Sequence, residues 1–515
     1  MREGIGNEQI RNAVVADTRI GIERFTVAGI VSCAAGVVMN VGLWGLGIPL
    51  LSSIIISSAL GVSGTLFLAP RLPVVIKGIR KHKPLLSILW LILGLAVLLQ
   101  TARLSVFMIN PALSQYSLFP GVKWYIEHCC LSAYSESARL LGDREKNIYD
   151  PQNYYGRKVA SFNVDLYHYP PPFLLLPLMV RGVTGGDFLN VRAFWFALNA
   201  LLLMLAMWLL IYRLEPGSRL RAIGMAPVIW LSMPVMAGLQ VSNVQLIVIS
   251  ISVIAWAIFP RQAAAGGMLL AMSSVAKIFP GILFVYLAAQ RKWREVIWTA
   301  VFAIVLILLA FLIIGPHPFK MFIEYEMPRL SSGEAFSGPF SKLFAVARNM
   351  APFGIPLKLG GLGMPGMTLE IGRIVSMIYL LGVVSLAIWS ARRQPRSNTE
   401  AASIWLSLLS LGTLVSPFAP ASYVLSSLVW LVCINREIFR LPSVLIIWLL
   451  ISGPFMISQE APFLLLSIFY LPAQILAIGI PVFVLLRAGI KYPKKESYID
   501  SFLPGEIKKE VIKFR

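Results

Sequence analysis

Two long polar intervals, residues 109–169 and 316–368, interrupt an otherwise apolar chain and hold nine of its 24 acidic side chains. The first interval holds Glu127, His128, Glu136, Asp143, Glu145, Asp150 and Asp165 among Trp124, Tyr125, Tyr134, Tyr149, Tyr154, Tyr155, Tyr167 and Tyr169. Carboxylates among aromatic rings suit general acid–base work, which needs a base within hydrogen-bond reach of the proton it takes. The same residues equally suit a solvated surface. The second interval, "EYEMPRLSSGEAFSGPFSKLFAVARNM", carries Glu324, Glu326, Arg329, Lys342 and Arg348. Cations beside a bilayer suit phosphate headgroups, or they anchor the interface and nothing more. Four cysteines (Cys33, Cys129, Cys130, Cys433) make neither a metal pattern nor a disulfide framework. His128 stands beside Cys129 and Cys130, but adjacent residues rarely converge on one ion. The carboxylates also lack metal-site spacing, so no tightly bound metal is expected, and any help from a divalent metal stays open.

These residues need elements to hold them. "CLSAYSESARLL" has helical spacing, with Leu131, Tyr134, Ala138 and Leu141 on one face. It reads as a short helix lying on the membrane surface, with Glu127 one turn before Cys130 on the same face. It leads through Gly142 into the turn signal "NIYDP", and the interval ends in "VDLYHYPPPFLLLPLMV". Three prolines at a membrane entrance make a stiff mouth, because proline fixes φ and is tolerated only where a helix starts.

The composition is that of a polytopic α-helical membrane protein: 57% of the 515 residues are hydrophobic and 13% charged. Apolar runs near 20 residues match a hydrocarbon core about 30 Å thick, where only helices satisfy the backbone of such runs. Fourteen spans are expected, at 26–46, 48–68, 85–108, 170–184, 192–212, 222–238, 244–259, 266–290, 296–315, 369–391, 401–417, 420–435, 442–458 and 463–488. Several of the middle ones are short enough to be half-helices. The first 24 residues are mixed in charge, so the first run is expected as a retained span.

The basic loops 71–84, 291–295, 392–396 and 436–440, with the tail 491–515, are expected in the cytoplasm with both termini. Alternation then puts both long loops outside, and with them the basic stretch "RLEPGSRLR" (213–221), which fits poorly there. The net charge of +21 follows from such loops. No basic stripe interleaved with aromatics argues for nucleic acid. Span interiors lack the acids that mark ion paths, which counts against a transporter or flippase. Lys277 in "SSVAKIFPGILF" is the one mid-span cation to stand out, facing a cavity, a headgroup or an acid, or snorkelling to the interface.

Four stretches then carry a likeness: "CLSAYSESARLLGDREKNIYDP", "YHYPPPFLLLPLMV", "AKIFPGILFVYLAAQRKWR" and "SPFAPASYVL". Together they resemble the C-type (GT-C) glycosyltransferases, specifically family 87, whose members use polyprenyl-phosphate sugars and include mannosyltransferases. The resemblance covers roughly residues 85–490 and implies a GT-C-like bundle of about 12 transmembrane helices. The helices within 26–84 would be two additions, absent from the family layout and suited to docking a membrane partner; 1–25 and 491–515 would be cytoplasmic segments.

The resemblance implies an integral enzyme, in a bacterial inner membrane, that moves a hexose from a lipid-phosphate donor to a lipid or glycan acceptor of the cell envelope. Transfer would occur on the extracytoplasmic face with inversion, a first-loop carboxylate acting as base. Tyr134, Tyr149, Tyr169, Asn243, Lys277, Arg329, Lys342, Arg348 and Tyr423 are the implied substrate-binding residues. The pattern departs from the family at two positions: Cys130 stands where the base belongs, and Ser422 replaces a histidine. The family's Gly-Gln-x-Asn is reduced to "LQVSN", leaving Asn243. A thiol does a carboxylate's work only if its pKa falls far below about 8.5. Glu127, then Asp165, are the candidate replacements. The alternative is a degenerate relative that binds lipid-linked sugar or scaffolds another enzyme.

Overall fold

The computed structural model describes residues 27–68, 84–142, 146–458 and 460–490. The expected terminal segments, most of the basic loop 71–84, and Asp143 and Glu145 lie outside the described residues. The described residues are all-α apart from one two-stranded pairing of Lys158–Val159 with Phe162–Asn163.

Among the described residues, six helices are long and apolar enough to cross a membrane: Val27–Gly45, Ile88–Ile109, Phe188–Arg213, Trp293–Ile314, Leu369–Ser390 and Phe463–Gly489. A seventh span exists if Pro216–Trp230 and Met233–Gln240, bent by 52°, count as one. The fourteen expected spans are not recovered as fourteen long helices among the described residues, and two of them show why. The run at 266–290 breaks into Ala263–Ala276 and Gly281–Ala289, because Pro280 lacks the N–H a continuous helix needs and Lys277 takes an extended backbone. The run at 170–184 becomes a four-residue 3-10 turn and the helix Leu175–Val183. The second polar interval is largely folded, in short helices from His317–Met321 to Gly354–Gly361.

Burial separates two kinds of helix. Gln245–Ile258 is buried on nearly every side and packs against Phe188–Arg213 and Ala263–Ala276. Trp293–Ile314 leaves Ile304, Leu308, Leu312 and Ile313 exposed, which in a membrane means facing lipid. The first helix packs closely against the body of the protein. A Cβ at Gly45 would lie 2.7 Å from the carbonyl oxygen of Asn190, and one at Gly42 would lie 2.9 Å from Ala197 Cβ. These two glycines let its backbone press against Phe188–Arg213, as small residues do between membrane helices.

The stretch 213–221 sits with the other basic loops. Glu215 accepts hydrogen bonds from the backbone of Asn398 and Thr399. Arg213, Lys292 and Arg396 line one cavity of about 550 Å³. Alternation of fourteen spans put this stretch on the opposite side from 291–295 and 392–396; the structure puts them together. The reason is the short helices between 170 and 290, which do not each cross. Helix Phe188–Arg213 runs from Trp195 in the polar interior described next to this basic end, 18 residues or about 27 Å at 1.5 Å per residue.

Candidate active site

The site grows out of a short extended piece between two helices. Lys123–Glu127 ends at His128, and Leu131–Leu140 starts after Cys130. His128 pairs as an isolated parallel bridge with Asn163, and the Cys130 N–H donates to the carbonyl of Val241 at 2.8 Å. Successive side chains of an extended chain point to opposite sides. His128 and Cys130 therefore share one side, while Cys129 is fully buried on the other, against Arg192 and Ser242. The expected one-turn relation between Glu127 and Cys130 is absent, because the helix does not reach back past Leu131. Leu131–Leu140 is also not a surface helix: all its residues but Arg139 are buried.

Around Cys130 five side chains converge. Its sulfur lies 3.5 Å from His128 Nε2 and 3.4 Å from the Tyr423 hydroxyl, and the Asn243 amide donates to it at 3.3 Å. The Tyr423 hydroxyl is 2.8 Å from His128 Nε2. On the other edge of the ring, His128 Nδ1 faces Asp165 Oδ1 at 3.3 Å. A carboxylate there holds the proton on Nδ1 and leaves the Nε2 lone pair turned toward Cys130 and Tyr423. Trp124 stacks on the imidazole at 4.1 Å between centroids and fixes its plane.

The electrostatics of this histidine are contested by two effects. Burial works to lower its pKa, but the Asp165 and Cys130 charges and hydrogen bonds outweigh burial, and the net shift is well upward.

The remaining expected residues form the walls. Tyr134 and Tyr169 share a hydroxyl–hydroxyl hydrogen bond of 2.8 Å, and the Tyr149 hydroxyl donates to the Tyr169 carbonyl at 3.0 Å. Lys277 donates to Gln245 Oε1 at 2.8 Å, with its ammonium 5.3 Å from the Tyr169 ring centroid. The break before Pro280 is what turns this lysine inward rather than along a span. Arg348 reaches the Tyr125 hydroxyl at 3.2 Å and stacks near Trp124 and Tyr470. Asn349 ties the second interval to the Tyr423 segment: it donates to Pro417 O at 2.9 Å and accepts from Ala419 N at 2.9 Å.

Other residues stand apart. Glu127 is paired with Lys123 at 3.8 Å and Asn163 at 3.3 Å. Arg329 pairs with Glu326 and Glu334, and Lys342 is exposed. Glu136 is neutralised by Arg139 at 2.7 Å and Arg157 at 2.5 Å, and the Arg139 hydrogen bonds lead in holding its carboxyl below the usual range. The Ser422 side chain lies outside the described residues. Sequence reasoning passed over His128 as an acid–base group. Its signal was a histidine two residues before the base position, which an extended backbone puts on the same side.

With this geometry in place, residues 167–417 match the family model described as glycosyltransferase family 87. The chain resembles family 87. That match supports a membrane glycosyltransferase. It takes in Tyr167, Tyr169, Asn243, Lys277, Arg329, Lys342 and Arg348, and ends before Tyr423. No curated protein and no solved structure matched the chain.

Proposed function

We propose that this family 87 relative transfers a hexose from a polyprenyl-phosphate donor to a lipid or glycan hydroxyl, with His128 as the base. Asp165 holds the imidazole from behind, and His128 Nε2 takes the acceptor proton beside Cys130. The observation that carries this reading is the His128–Asp165 pair at 3.3 Å, half-buried beside the position where the family's carboxylate belongs. The acceptor oxygen attacks the anomeric carbon, the bond to the lipid phosphate breaks with inversion, and the imidazolium formed is stabilised by Asp165. Lys277, which lies within electrostatic reach of Cys130 and beside the Tyr169 ring, stabilises the departing phosphate. The cell-envelope setting and a bacterial inner membrane belong to the same proposal.

The extracytoplasmic placement has support in the fold. Basic loops collect about 27 Å along helix Phe188–Arg213 from Trp195, and Lys and Arg favour the cytoplasmic side. The second reading, a lipid-sugar-binding scaffold, draws on Cys130 standing in the base position.

Membranes expressing the protein would be supplied with a radiolabelled polyprenyl-phosphate hexose, comparing wild type and Asp165→Asn at matched protein levels. Transfer that the variant loses supports the enzyme and its base. Equal transfer by both removes Asp165 from the mechanism. No transfer by the wild type across several sugars favours the scaffold.

A further inference from the structure

His128, Cys130 and Asp165 also make a donor set of another kind. Imidazole nitrogen, thiolate sulfur and carboxylate oxygen are the ligand types of zinc, and here all three donor atoms lie within 4.8 Å of one another. The tightest pair has the right spacing. Zn–N of about 2.0–2.1 Å and Zn–S of about 2.3 Å put nitrogen and sulfur about 3.5 Å apart in a tetrahedral site, and Cys130 Sγ lies 3.5 Å from His128 Nε2. Asp165 faces the Nδ1 edge of the ring, so it joins an ion held between Nε2 and Sγ only by swinging round the imidazole, a movement open to a side chain that is 30% exposed.

The surroundings suit a metal thiolate. The Asn243 amide donates to the sulfur at 3.3 Å, the kind of outer hydrogen bond that orients a ligand. Trp124 holds the ring. The Tyr423 hydroxyl, within 2.8 Å of Nε2 and 3.4 Å of Sγ, marks the side from which a fourth oxygen ligand would enter. These contacts come from the fold: residues 128 and 130 are joined by an extended turn, and Asp165 arrives from the strand that ends at Asn163.

We propose that His128, Cys130 and Asp165 bind a divalent transition metal of the zinc class, and that the ion inhibits transfer by occupying the His128 lone pair. The inhibitory half rests on His128 being the base, as proposed above; the binding half does not. Binding displaces the thiol proton to solvent and leaves a Cys130–metal bond.

The test is a cobalt titration of the purified full chain in detergent micelles, followed by its absorption spectrum. One equivalent is expected to give a thiolate-to-cobalt charge-transfer band that zinc removes. Cys130→Ser should abolish the band and His128→Gln should weaken binding at least about tenfold, both at unchanged melting temperature. Cys433→Ser, at a buried cysteine remote from the site, should leave the band intact. Absence of the band, or its survival in Cys130→Ser, overturns the site. In the transfer assay, chelator-treated protein should be active and stoichiometric zinc should lower the rate at least about tenfold. Zinc that raises the rate overturns the inhibitory role. If no sugar is transferred under any condition the enzyme reading fails, while the cobalt spectrum still decides the metal site.

Discussion

Two histidine–carboxylate pairs lie close together in this molecule, and they differ in their third partner. His128 meets Asp165 at 3.3 Å, and among the described residues no lysine or arginine stands within ion-pair distance of that carboxylate. His168 meets Glu326 at 2.6 Å, but Arg329 holds the other oxygen of Glu326 at 3.3 Å. Glu326 is fully buried, on a one-turn π-helix, Phe322–Glu326. The arginine spends the Glu326 charge on a clasp between the two polar intervals. Asp165 has no such cation, so its charge acts on the imidazole, whose other nitrogen faces Cys130 and Tyr423. A histidine–carboxylate pair thus makes a clasp in one place and a candidate base in the other.

Breaking each pair should separate these roles. His128→Gln is expected to lower kcat by about 10²–10⁴-fold, the usual range for a general base, in a sugar-transfer assay at matched protein levels. Asp165→Asn should cost about 10²-fold, because the ring keeps its place but loses its support. It should also move the pH profile. With the folded-state pKa of His128 raised well above the ordinary value of about 6.5, wild-type transfer should climb as pH rises through the raised value. Asp165→Asn takes away the charge that raises the pKa while burial remains, so its climb should come at lower pH. The stability from the imidazolium–Asp165 pair runs the other way: it is fully present below about pH 6.5 and lost as pH rises through the folded value.

His168→Gln should leave kcat within a few-fold and instead lower stability, by about 1–3 kcal/mol for a buried carboxylate left with one partner fewer, read as a drop in melting temperature. A collapse of kcat at unchanged stability would merge the two pairs into one catalytic unit. Glu127→Gln should change the rate less than about twofold, since that carboxylate is engaged with Lys123 and Asn163.

The all-α class was legible in the sequence, and Asn243, Lys277 and Tyr423, named from local motifs, do lie around Cys130, because apolar length and local motifs are local properties. Asp165 was legible only as a carboxylate in a rich loop. Three things were not legible. The chain break at Pro280 competes with an unbroken apolar run, and hydropathy alone sees only the run. The side of the stretch 213–221 depends on which short helices cross, a tertiary matter. Most tellingly, Glu127 was favoured by carrying a helix back through Cys130. The backbone instead extends at His128 to pair with Asn163, 35 residues on. That one change of period exchanges Glu127 for His128 beside the base position.

The central claim is that the His128–Asp165 pair does the work of the carboxylate that Cys130 replaced. It is tested most directly by returning a carboxylate to that position in an inactive background, in the double variant His128→Gln/Cys130→Asp. If the claim holds, transfer recovers at least about tenfold over His128→Gln alone. A double variant that melts like the wild type yet transfers no faster than His128→Gln would contradict it.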